Sequence, residues 1–131
     1  MVALGCVIPT CTVFVARVTA VEIIAAITRR ERGGSLTSTD ATVARAAFRT
    51  DLANEYQVVE VTEMLVNQAM LVAETHGLRG YDAVQLAAAL EVNTLRVVSG
   101  LPPLTLVSAD TELNAAAIAA GLTIADPNVH P

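Results

Sequence analysis

The chain has 131 residues, a formal net charge of −5, and a composition that is 53% hydrophobic and 16% charged. That length suits one domain with a real core, and an acidic balance without a single lysine excludes a generally basic nucleic-acid-binding surface. Two Tyr, two Phe and no Trp leave few platforms for stacked bases, and the apolar excess implies sheet and helices covered on both sides plus a patch that meets a partner.

Cys6 and Cys11 are the only cysteines. With no His or Cys partners at metal-ligand spacing they form no zinc signature and read as reduced packing residues, a disulfide remaining open. The uncharged stretch Met1 to Ala16 lacks a positive leading region, is broken by Pro9 and is short for a membrane span. A soluble, cytoplasmic protein without membrane association is therefore expected.

Thr12 to Ala16, TVFVA, is β-branched and aromatic and predicts a strand. A helix follows from about Val18 to Arg32, closed by Gly33-Gly34, and Thr19 with Glu22 fits a capping box. Arg29, Arg30 and Arg32 suit the negative end of that helix. After a Ser/Thr-rich turn a partly exposed helix is predicted from about Asp40 to Asn54. Tyr56 to Val61 reads as a strand, and Thr62 caps a helix running to His76 and Gly77. His76, alone in a last turn, reads as a surface or capping residue.

The stretch Leu78 to Leu90, LRGYDAVQLAAAL, organises the chain. From Ala83 to Leu90 only Gln85 is polar, so this helix has apolar side chains on every face and must be buried. Asp82 falls at its N-cap or first turn, where free N–H groups and the helix dipole favour an ionised acid. Asn93 to Pro103 is predicted as a connection containing the loop Gly100-Leu-Pro-Pro. Leu104 to Ser108 is a continuous apolar run of the kind buried parallel strands show. Asp110 then stands between that strand and a helix from about Glu112 to Ala120, and Leu122 to Ala125 makes a last strand before a surface tail. Strands alternating with helices at this spacing give an α/β sandwich with a mainly parallel sheet. Each of Glu22, Asp82 and Asp110 has a capping reading; together they would stand at one rim of that sheet.

RVTAVEIIAAITRRERGG (Arg17 to Gly34), LRGYDAVQLAAAL and LTLVSADTELNAAAIAAGL (Leu104 to Leu122) carry a resemblance to the PIN-domain family, and within it to VapC-type toxins of bacterial toxin-antitoxin pairs. The resemblance implies a single three-layer α/β/α domain over residues 1 to 131. It implies a metal-dependent endoribonuclease with Glu22, Asp82 and Asp110 as catalytic and metal-binding acids and Ser108 as an auxiliary group, an RNA substrate, a cognate antitoxin and a homodimer. Oxygen-only ligands point to Mg²⁺ or Mn²⁺. Three carboxylates within about 5 Å would repel by roughly 3 kcal/mol per pair at an effective dielectric near 20, so such a site seeks a cation. Arg79 or Arg17 would hold the phosphodiester backbone.

The departure lies at the amino terminus. PIN domains open with a central strand that carries their first acid, whereas no acidic residue precedes Glu22 here. A strand within Val2 to Ile8 would also be too near Thr12 for a parallel crossover. The opening strand is thus expected to be atypical or missing. The alternative to a working nuclease is an impaired or inactive PIN-like domain that dimerises or binds an antitoxin.

Overall fold

The computed structural model describes the backbone of residues 2–7 and 10–128 and the side chains of residues 12–128. The side chains of Cys6 and Cys11, and the end of the tail from Val129, lie outside the described residues. The elements are β1 (Val2–Val7), β2 (Thr10–Ala16), α1 (Arg17–Arg32), α2 (Ser38–Asn54) and β3 (Gln57–Val59). Then come α3 (Glu63–His76), α4 (Gly80–Val98), β4 (Thr105–Val107), α5 (Thr111–Ala119) and β5 (Thr123–Ala125). The class is α/β, as expected. No helix among the described residues is long and apolar enough to cross a membrane.

One sheet holds all five strands in the order β3-β2-β1-β4-β5. β2 pairs with β3 and β4 with β5 in parallel, while β1 lies antiparallel to both β2 and β4. The four strands β2 to β5 therefore share a direction, and β1 runs against them in the middle. This is how the short spacing between β1 and β2 is accommodated: a parallel pair needs a long crossover, an antiparallel pair only a short connection. Ala3 stands opposite Phe14 and Cys6 opposite Cys11 in that hairpin. A strand is thus present at residues 2–7, antiparallel to both of its neighbours.

Several expectations need correction at the level of caps and lengths. Thr19 does not cap α1: the N-cap is Ala16, with no side-chain hydrogen bond to the helix. Ala16 is still paired with Val59, so the chain turns from strand to helix without a loop and Thr19 falls inside the first turn. The Thr19-Glu22 capping box is absent. Thr37 caps α2 and Thr62 caps α3, each accepting an N–H three residues on at 3.1 Å. The Tyr56 to Val61 strand is confined to Gln57–Val59. α4 does not stop before Asn93 but continues to Val98, because Val92 and Arg96 still face the interior. The Arg96 guanidinium lies over the Phe14 ring at 5.8 Å and its Nε donates to the Pro102 carbonyl at 2.8 Å, so a charged residue serves as packing.

The front half of α4 is the core. Ala83, Leu86, Ala87, Ala88 and Ala89 are all buried, packed with Leu65, Leu104, Leu106 and Leu113. The small alanines let neighbouring elements approach α4 closely on several sides. Its one buried polar residue in this stretch, Gln85, is satisfied: Gln85 Nε2 donates to the fully buried Thr19 Oγ1, to which the Tyr81 hydroxyl also donates at 3.4 Å. This hydroxyl ties α1 to α4 across a distance in sequence no helix pattern could report.

Leu86→Ala should cost about 2–5 kcal/mol, the lost transfer energy plus a cavity that alanine-rich surroundings cannot fill, whereas Val98→Ala at an exposed site should stay within about 0.5 kcal/mol. Urea denaturation of the two variants checks the contrast.

Candidate functional site

β2 leads outward through α1 and α2 to β3, and β4 leads outward through α5 to β5. The winding thus reverses between β2 and β4, and the carboxyl ends of strands at such a reversal are where α/β sheets place their sites. Both Glu22, on the helix leaving β2, and Asp110, after β4, belong to this rim.

Asp110 is held most firmly. It is the N-cap of α5, its Oδ1 accepting the Leu113 N–H at 2.9 Å, and its own N–H donates to Ser108 Oγ at 3.1 Å. Ser108 is buried, its N–H donates to the Ala125 carbonyl, and its carbonyl accepts from Asn114 Nδ2 at 2.8 Å. Ser108 therefore sets the position of Asp110 through the backbone. Asp82 lies in the first turn of α4, whose N-cap is Arg79 with no side-chain bond to the helix. Its carboxylate is not a cap.

Tyr81, Asp82, Val107, Ser108 and Asp110 line one cleft of about 420 Å³, and Arg79, Asp82, Asp110 and Glu112 line a second of about 430 Å³. Burial raises the pKa of the Asp82 carboxyl above its ordinary value; the Asp110 charge raises it further, Arg79 opposes, and Glu112 adds a smaller push upward. The two aspartates are thus a like-charged pair, Asp82 partly buried and Asp110 exposed. Glu22 is exposed on α1 and lines neither of these clefts. It is near enough for its charge, with that of Asp82, to act on Tyr81, whose phenol is pushed up chiefly by burial. Among the described residues no three of His, Cys, Asp and Glu come close enough to hold a metal ion together. The clefts join two of the three acids, Asp82 and Asp110.

Of the two arginines proposed for phosphate, Arg79 borders the Asp82–Asp110 cleft, whereas Arg17 is exposed and engaged by Glu60 through both Nε and Nη2. Sequence reasoning missed two neighbours of the pair. Glu112 was legible as an acid two residues after Asp110 in the same first helical turn, but Tyr81 acquires its place only through its hydrogen bond to Thr19. No protein-family model matches the chain, and no curated protein sequence does.

The raised pKa of Asp82 fixes the sign of a stability effect. An acid that binds its proton more tightly folded than unfolded stabilises fully below its unfolded pKa, near 3.8, and that contribution is lost as pH rises through the higher folded value. Asp82→Asn should therefore raise the urea midpoint at pH 7, with the gain shrinking toward zero below about pH 4. An unchanged or lowered midpoint at pH 7 would contradict the like-charge account.

Proposed function

We propose that the chain is a PIN-like three-layer domain acting as a slow, metal-dependent ribonuclease, with Asp82 and Asp110 as its central carboxylates and Glu22 in an outer role. The observation that carries this reading is the Asp82–Asp110 pair itself: two acids share a cleft at the sheet's switch point, and only one of them has a capping duty. A repulsion kept in place at such a rim is what a cation-binding site requires.

The donor set suits Mg²⁺ or Mn²⁺. Mg²⁺ is commonly held by one or two carboxylates, with waters and substrate phosphate oxygens completing its shell, so a pair is enough where a closed protein cage is not. Asp110 uses Oδ1 as the helix cap and has its second oxygen for an ion; Asp82 has its whole carboxylate. When bound, the metal supplies Lewis-acid stabilisation of the phosphate and a bound water of lowered pKa. The chain's own residues do the rest. Ser108 and Asn114 fix the turn that aims Asp110, the buried front of α4 fixes Asp82, and Arg79 at the cleft's edge is placed to hold a phosphate oxygen of the scissile strand. Activity is expected to be low because the central strand offers no acid: β1 is reversed, so Val2 rather than an acidic residue stands opposite Val107 at the rim.

A binding role is favoured by a different surface. A cleft of about 330 Å³ between α3 and α4 is lined by Met64, Val72, Leu90 and Leu95, and Met64, Met70, Leu71 and Leu95 are exposed. An apolar patch of this kind fits an antitoxin or a second copy. In that reading the chain is a catalytically silent cytoplasmic module.

RNA cleavage with Mn²⁺ separates the two. Slow cleavage that Asp82→Asn reduces by roughly a hundredfold or more supports the nuclease, and a preparation that is equally inactive with and without the substitution supports the binding module. Mn²⁺ should also raise the melting temperature, by up to about 2.7 kcal/mol of stabilisation at a hundredfold excess over Kd. Asp110→Asn should remove that rise while itself slightly raising the metal-free melting temperature, because Asn caps a helix as well as Asp and its neutral amide relieves the repulsion on Asp82.

A further inference from the structure

The clefts around the aspartates do not end at them. Glu112, on the lip of the Asp82–Asp110 cleft, also borders a further cleft of about 440 Å³ between the end of α3 and the face of α5, lined by His76, Gly77, Ala116 and Ala119. On the opposite side the first cleft runs past Asp82 to Tyr81, Val107 and Pro127. Glu112 lines two of these clefts, and Asp82, Ala109 and Asp110 line two, so the three adjoin as a trough with the acid pair near its middle.

The two ends differ in chemistry. The Tyr81 end is an aromatic ring, a valine and a proline, a surface on which a base can rest. The other end carries Arg79 and His76, three residues apart across the α3–α4 turn, where left-handed Gly77 (φ 65°) breaks α3 and extended Arg79 begins α4. Six of the remaining arginines lie on α1 and α2, at Arg17, Arg29, Arg30, Arg32, Arg45 and Arg49, and Arg17 is paired with Glu60 and Arg45 with Glu31. Among the described residues, the arginine that lines these clefts is Arg79, and the α3–α4 turn sets His76 close to it in sequence. A helix C-terminus accounts for a histidine on α3, but not for its place in a cleft continuous with two acids. Glu112 lines a cleft with each of them and repels a phosphate, so affinity at this end depends on Arg79 and His76.

We propose that His76, with Arg79, is a phosphate-holding residue for an RNA strand that crosses the acid pair. The imidazole donates an N–H to a phosphate oxygen in either protonation state. The inference rests on the nuclease reading for its substrate, and binding tests it apart from cleavage.

The experiment is fluorescence anisotropy of an end-labelled hexaribonucleotide on the Asp82→Asn protein with Mn²⁺, across a range of salt. His76→Ala should weaken binding roughly two- to fivefold, the range of one hydrogen bond at an accessible site, and Arg79→Ala should weaken it and reduce the salt slope. His76→Gln, which keeps an N–H donor, should recover part of the loss, and Glu112→Gln should strengthen binding. Unchanged affinity in His76→Ala, with Arg79→Ala weakened, would overturn the role of His76 and leave the nuclease reading standing. His76-dependent binding by a wild-type chain that cleaves nothing would support the trough and overturn the nuclease reading alone. No binding of RNA at all would overturn both.

Discussion

The front half of α4 has nowhere else to go. Its alanines and Leu86 are enclosed by α3, the sheet and α5, so the first turn of the helix, and Asp82 with it, is fixed against the end of β4. The Asp110 carboxylate is fixed by an independent set of bonds, through Ser108 and the α5 cap. Two rigid supports thus hold two negative charges in one cleft, and neither side chain belongs to an element that can swing away. The raised pKa of Asp82 is the electrostatic record of that constraint. A fold selected for stability alone would relieve it with an amide, which keeps the shape and drops the charge.

The second determinant is the direction of β1. The sheet reverses its winding between β2 and β4, and β1 fills the space between them in the antiparallel sense. Pairing satisfies the inner edges of both neighbours, which would otherwise present open N–H and C=O groups. Reversal has a chemical consequence as well. The end of the central strand at this rim is its beginning, where Val2 stands opposite Val107, so among the described residues the strand adds no acid there.

The three acids divide by role once the caps are known. Asp110 does two things, closing α5 with one oxygen and facing the cleft. Asp82 closes nothing, and Glu22 closes nothing either, since α1 begins directly on Ala16. A capping explanation therefore covers one of the three. Thr19, which local pattern makes a cap, instead lies fully buried, accepting hydrogen bonds from Gln85 and Tyr81 and joining α1 to α4.

The alternation of elements, the all-round apolarity of α4, the caps at Thr62 and Gly77, and the placement of Asp110 between strand and helix are all legible in the sequence, because each follows from contacts within a few residues. Asp82 in a first turn and Asp110 at a strand's end are legible for the same reason. Their sharing of a cleft is not, nor is the separate position of Glu22, the engagement of Arg17 by Glu60, or the continuity from Tyr81 to His76. Those depend on residues tens of positions apart, brought together by which strand lies beside which. The place of β1 is divided between the two: the short connection to β2 excludes a parallel pair from the sequence alone, but that β4 lies on its other side, so that β1 stands in the middle of the sheet, follows only from the assembled strands.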